Sequence, residues 1–125
     1  MLAAHAGKSV MLVDDNFVLR EAMSQVLGCD GYRVTTASNG ADAFRRLHGH
    51  EKPDIILLDL NMPVMDGLTF RRQQQQNQDL AGVPVVLLSS AEDVAEKASS
   101  LGAQTYLQKP VDTARLLDIV HRYCK

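Results

Sequence analysis

Pro53-Asp54-Ile55-Ile56-Leu57-Leu58-Asp59 is the stretch that decides the fold. Four apolar residues run without a polar break, which fits a strand buried on both faces rather than one with a wet side. The run ends on a carboxylate, which is costly to bury unless it is paired or bound to a cation. Val10-Met11-Leu12-Val13 and Val85-Val86-Leu87-Leu88 repeat the pattern, the first closed by Asp14-Asp15 and the second by Ser89-Ser90. Arg33–Ala37, rich in β-branched residues, and Thr105–Gln108 are weaker strand candidates, and Lys109-Pro110 follows the latter.

Helical periodicity fills the intervals. Asn16 can cap a helix bearing Leu19, Met23, Val26 and Leu27, with Gly28 and Gly31 as its stop and turn. Asn39-Gly40 opens a second helix carrying Ala43, Phe44 and Leu47, ended by Gly49 and Pro53. A third begins near Asp66 and carries Leu68, Phe70 and Arg71 before Gln73-Gln74-Gln75-Gln76-Asn77-Gln78, read as its solvated end and the loop after it. A fourth, about Glu92 to Leu101, sets Val94, Ala95, Ala98 and Leu101 on one side and stops at Gly102. The last, Thr113 to Tyr123, turns Leu116, Leu117, Ile119, Val120 and Tyr123 inward. Five strands alternating with five helices predict an α/β fold: a doubly wound, five-stranded parallel sheet with right-handed crossovers. Ligands bind such sheets beyond the carboxyl ends of the strands, at the switch point in strand order.

Composition narrows the function. The 125 residues suit one domain, and 13 Lys+Arg against 15 Asp+Glu give a formal charge of −2, without the basic footprint of a nucleic-acid binder. No apolar run approaches the roughly 20 residues that span a bilayer, and Met1–Gly7 lacks signal-peptide features, so it is read as a flexible leader to a cytoplasmic domain over residues 8–125. Cys29 and Cys124 have no metal-site or disulfide spacing and read as free thiols. His48-Gly-His50 has no third ligand nearby and reads as a surface turn, and His121 as interfacial or exposed.

The strand ends carry the chemistry. Asp14, Asp15, Asp59, Ser89 and Lys109 converge on one rim, where three carboxylates repel one another and call for a divalent cation or a partner such as Lys109. Hard oxygen donors suit Mg²⁺. A carboxylate can attack phosphorus to form an aspartyl phosphate, with the cation, Lys109 and the Ser89 hydroxyl neutralising the phosphoryl oxygens. Asp59, on the middle strand, is the natural nucleophile, with Asp14 and Asp15 on the metal side.

At these residues the chain resembles the receiver domain of two-component response regulators. Met11–Asn16, Gly31–Gly40, Pro53–Gly67, Pro84–Ser89 and Gly102–Pro110 carry the resemblance, in order and over nearly the whole chain. It implies a flavodoxin-like (βα)5 three-layer sandwich and a phosphorylation-activated switch. Asp59 would accept a phosphoryl group from a histidine kinase or phosphotransfer protein. Mg²⁺ (or Mn²⁺) would be held by Asp15, Asp59 and the Asn61 carbonyl, with Asp14 helping through water. Lys109 would contact the phosphate, Ser89 would move toward it, and Tyr106 would be the aromatic switch. Lys109-Pro110 resembles the family's cis-proline junction, while Met62, Pro63, Asp66 and Gly67 shape the site. The output partner would dock on the surface of the fourth helix, fifth strand and last helix, which could also pair with a second copy. Kinase choice is ascribed to the first helix, here exposing Phe17, Val18 and Arg20.

There are departures from the family pattern. Val111 stands where Phe is frequent, and Ser89 replaces the commoner Thr but keeps the hydroxyl. Gln104-Thr105 replaces an acidic pair of one dimerising subfamily, and Ala91 offers no side chain to orient a hydrolytic water. Two rivals remain: a degenerate receiver acting only as an interaction module, and a haloacid-dehalogenase-like phosphatase. The phosphatase needs an acid two residues past its nucleophile, where this chain has Asn61. A flavodoxin-like electron carrier is disfavoured because Asp14-Asp15 would repel the flavin phosphate.

Overall fold

In the computed structural model, which describes residues 7–47, 52–60, 66–90 and 92–124, the apolar runs are strands and the periodic stretches helices. The order is β1 (Ser9–Val13), α1 (Phe17–Cys29), β2 (Arg33–Ala37), α2 (Gly40–Leu47), β3 (Ile55–Asp59), α3 (Gly67–Gln76), β4 (Val85–Ser89), α4 (Val94–Ser100), β5 (Thr105–Gln108) and α5 (Thr113–Tyr123). All strand pairs are parallel, in the order β2-β1-β3-β4-β5. Asn61, Met62, Pro63, His48, His50 and Ala91, with the first six residues of the expected leader, lie outside the described residues. No helix among the described residues is long and apolar enough to cross a membrane.

Helices cover both faces of the sheet, which is why the central strands are apolar without a break. Val10, Leu12, Ile55, Leu57, Val86 and Leu88 pack with Met23 and Leu27 of α1 and Leu116, Ile119 and Val120 of α5. Their neighbours Met11, Val13, Ile56, Leu58, Val85 and Leu87 pack with Ala43 and Leu47 of α2, Phe70 of α3, and Val94 and Ala98 of α4. Phe70 stacks on Phe44, with ring centroids 4.6 Å apart.

Side-chain caps begin most helices on the rim where the strands end. Asn16 Oδ1 accepts from the Leu19 N–H, Asp66 Oδ1 from Thr69 and Asp112 Oδ2 from Arg115. At α2, Asn39 Oδ1 accepts from the Asp42 N–H at 2.8 Å, while Asp42 reaches back to accept from the Ser38 N–H at 3.0 Å. Burial alone would raise the Asp42 pKa, but hydrogen bonds from Arg45, the Ser38 N–H and Arg46 outweigh it and hold the carboxyl at about 2.

Several expectations are corrected. Gly28 does not stop α1, which runs on to Cys29; Asp30 caps it and Gly31, at φ 97°, makes the turn. α4 starts at Val94 rather than near Glu92, and Ala95 faces water. Of the three residues carried on α3, Leu68 is 37% exposed, while Phe70 and Arg71 are buried. The glutamine run is the solvated end of α3 and its loop, as expected, except for Gln74, which is completely buried and donates to the carbonyls of Leu80 at 2.8 Å and Val83 at 3.1 Å. Cys29 and Cys124 are free thiols, as expected.

Gly67 is required by close approach. A Cβ there would stand 2.4 Å from the Asp59 carbonyl oxygen and 2.8 Å from Leu60 Cα, because the start of α3 lies directly on the end of β3. Gly67→Ala is expected to lower unfolding stability by about 1–3 kcal/mol, read as a fall in urea midpoint at unchanged slope. Asp42→Ala is expected to cost about 1 kcal/mol at neutral pH, since both arginines are largely exposed to water. The folded pKa of Asp42 lies below its unfolded value, so this contribution is present above a pH of about 4 and fades as the pH falls toward 2. Melts of the two proteins are therefore expected to differ at pH 7 and to converge at the acid end.

Candidate functional site

Strand order builds the site. The chain runs from β1 out to β2 and returns to β3 on the other side of β1, so the ends of β1 and β3 flank the switch point. Val13 pairs with Leu58, which brings Asp14 and Asp59 side by side one residue further on. Backbone hydrogen bonds extend the ladders into the rim: the Asp14 N–H donates to Ala37, Leu60 to Leu88 and Lys109 to Ser89, at 2.9–3.1 Å. Carboxylate oxygens of Asp14, Asp15 and Asp59 lie within 4.8 Å of one another. Asp14, Asp59 and Ser89 are buried, and Asp15 faces water.

Lys109 reaches into this cluster. Its Nζ lies 2.9 Å from Asp14 Oδ2 and 3.4 Å from Asp59 Oδ1. Partial burial pulls the ammonium pKa down, but the two carboxylates outweigh it and hold the value above the ordinary 10.5. Lys109 therefore stays charged through the neutral range, and its contribution to stability is lost only as the pH climbs through that raised value. The Lys109–Pro110 peptide bond is cis, matching the expected junction. The Asp14 carboxylate also accepts from the Asn16 N–H at 2.9 Å, and Arg20 Nη1 donates to the Asp14 carbonyl at 2.7 Å. One ammonium against three convergent carboxylates leaves a negative, all-oxygen donor set, which fits a small divalent cation such as Mg²⁺.

Tyr106 pairs with Leu87 across β4 and β5 and is half-buried against the α2–α4 layer. Asp66 caps α3, and Thr69, above all through its N–H, keeps its carboxyl below the usual range. Phe17 and Val18 are exposed beside the rim, as expected, with Arg20 over the Phe17 ring. Sequence reasoning missed two features here. The Arg20 tether to the Asp14 carbonyl leaves no trace in periodicity. The buried Arg71–Gln74 pair was signalled only by its three-residue spacing on one helix face.

The profile of the response regulator receiver domain matches residues 10–121. The transcriptional regulatory protein GltR of Pseudomonas aeruginosa is 35% identical over 113 residues, covering 89% of this chain and 46% of that protein. Sporulation initiation phosphotransferase F of Bacillus subtilis is 28% identical over 116 residues, 93% of each chain. Among solved structures, the receiver domain of sensor histidine kinase PA1611 from P. aeruginosa PAO1, which has a magnesium ion coordinated in its active site cleft, superposes with a TM-score of 0.84. It is 32% identical, with 95% of this chain and 98% of that one covered. The chemotaxis protein CheY4 of Vibrio cholerae gives a TM-score of 0.85 at 29% identity, over 94% of this chain and 99% of that one. The chain spans just under half the length of the first curated relatives. With its five-stranded parallel sheet and its acidic rim, the chain belongs to the response regulator receiver domain family.

Proposed function

We propose that this domain is a phosphorylation-activated signalling switch of a two-component or phosphorelay system, and that Asp59 is its phosphoacceptor. The observation that carries the reading is a lysine ammonium bridging two buried carboxylates at the switch point, with a third carboxylate within 4.8 Å. The donor is the phosphohistidine of a histidine kinase or histidine phosphotransfer protein. An Asp59 oxygen bonds to phosphorus as the P–N bond breaks, and the imidazole leaves with a proton. Lys109 offsets the repulsion between the anionic nucleophile and the phosphoryl group, and Ser89 donates its hydroxyl to a phosphoryl oxygen. Asp15, Asp59 and the Asn61 carbonyl, with Asp14 through water, would hold Mg²⁺ or Mn²⁺. The cation supplies further neutralisation of the phosphoryl oxygens.

The switch follows from competition for Lys109. A phosphoryl group on Asp59 draws the ammonium from Asp14 and pulls Ser89 inward, which biases Tyr106 and shifts the α4-β5-α5 surface. That surface engages an output domain or protein, or a second copy of the chain. Phosphorylation moves a pre-existing equilibrium rather than creating a new state. The reading puts the domain in the cytoplasm, catalysing no reaction beyond gain and loss of its own phosphoryl group.

Intact-mass spectrometry with acetyl phosphate and Mg²⁺ is expected to show one hydroxylamine-labile phosphoryl adduct, absent from Asp59→Asn and absent with a chelator. An unchanged adduct in Asp59→Asn would overturn the assignment, and failure to bind either phosphoryl or Mg²⁺ would favour a pure interaction module. Because Asp15 is exposed and repels its two neighbours, Asp15→Asn is expected to hold or raise the metal-free melting temperature while weakening Mg²⁺ binding by about tenfold or more in a calorimetric titration.

A further inference from the structure

α4 is held unequally at its two ends. At its amino end, Asp93 makes no side-chain cap, and its pairing with Lys97 at 3.6 Å is exposed on both sides and correspondingly weak. Val94 and Ala98 are its only fully buried side chains, so little apolar area anchors this helix of seven residues. The carboxyl end closes in a Schellman turn. Gly102, at φ 69°, donates to the Ser99 carbonyl, and Ala103 donates to Ala98 at 3.0 Å.

Two carbonyls within that turn are taken by Arg71 of α3. Its Nε donates to Leu101 O at 3.0 Å and its Nη2 to Gly102 O at 2.9 Å, while Nη1 donates to Gln74 Oε1 at 2.6 Å. Arg71 is buried, and among the described residues no carboxylate pairs with it, so carbonyl dipoles alone satisfy the charge. Giving up these bonds would strand a buried cation, which makes the attachment hard to break. Its other end is fixed equally well. Gln74 is tied to the Leu80 and Val83 carbonyls, and Gly67 seats α3 on the backbone of Asp59.

We infer that Arg71 pins the carboxyl end of α4 to α3, so that α4 opens from its amino end, the end that follows Ser89 and Ser90 in the chain. The opening end is then the one nearest the rim, and the Leu101–Gly102 turn is its fixed pivot. Only the trigger, phosphorylation of Asp59, rests on the function proposed above; the pin itself is a property of the unmodified chain.

Amide hydrogen exchange of the full chain, followed residue by residue by NMR, tests the pin. The Lys97 N–H, bonded to Asp93, is expected to exchange about tenfold or more faster than the Leu101 and Ala103 N–H groups, bonded to Lys97 and Ala98. In Arg71→Met the Leu101 and Ala103 amides should accelerate by about tenfold while those of Leu57 and Leu58 in β3 hold, and Arg71→Lys should recover part of the protection. Equal exchange at both ends of α4 in the wild-type chain overturns the inference. So does an Arg71→Met protein in which α4 and β3 accelerate together, the mark of a general loss of stability. If Arg71→Met does not fold, the wild-type gradient and Arg71→Lys decide. With Mg²⁺ and beryllofluoride added, Lys97 should accelerate further and Leu101 should not. Failure of beryllofluoride to bind counts against the functional reading, while the gradient without it still decides the pin.

Discussion

The Lys109 ammonium between the Asp14 and Asp59 carboxylates is the contact on which the site depends. Two buried carboxylates on neighbouring strands repel each other, and neither can turn to water. At 2.9 and 3.4 Å the ammonium serves both. It arrives from the end of β5, two strands away from β3, so the bridge spans the sheet. The strand order is thus tied to the chemistry: only with β1 beside β3, and with β5 beyond β4, do these three side chains meet. In the proposed switch, a phosphoryl group would offer Lys109 a stronger partner than Asp14, and that preference would supply free energy for a change of state.

Around this centre the molecule divides into a stiff part and a loosely held one. β1, β3 and β4 are buried on both faces, and α3 stands on the end of β3 with no room for a side chain at Gly67. α4 has few buried side chains and one well-made end. A switch needs both properties. The strands must hold the reacting groups within hydrogen-bonding distance, and the output surface must lie within a few kcal/mol of a second arrangement. Arg71 joins the two parts, carrying the rigidity of α3 into the pivot of α4.

Most of this was legible in the sequence because the signals were local. A double-sided parallel strand needs an unbroken apolar run, and such runs gave three strands with ends correct to one residue. Asn16 and Asp66 marked helix starts through the same capping chemistry seen in the structure. The convergence of Asp14, Asp15, Asp59 and Lys109 was legible because topology collects the residues that follow each strand. Failures came where tertiary packing overrides composition. Gln74 looked like part of a solvated run, yet it satisfies two loop carbonyls in the interior. Arg71 looked like an ordinary helix residue, yet it is a buried clamp. Gly28 looked like a stop, but a glycine inside a helix costs only about 1 kcal/mol, and the turn at Gly31 sets the real boundary. Ala95 shows the limit of periodicity on a short helix, where one face shades into the next.

On the proposed reading, the carboxylate that shares Lys109 with Asp14 is the one that takes the phosphoryl group. Borohydride reduces an acyl phosphate to an alcohol, so it marks a phosphorylated aspartate as homoserine within the peptide chain. After loading with a phosphohistidine donor and reduction, peptide sequencing by mass spectrometry is predicted to find homoserine at position 59 alone. Homoserine at position 14 or 15, or at none of the three while phosphoryl is carried elsewhere, would overturn the assignment of Asp59.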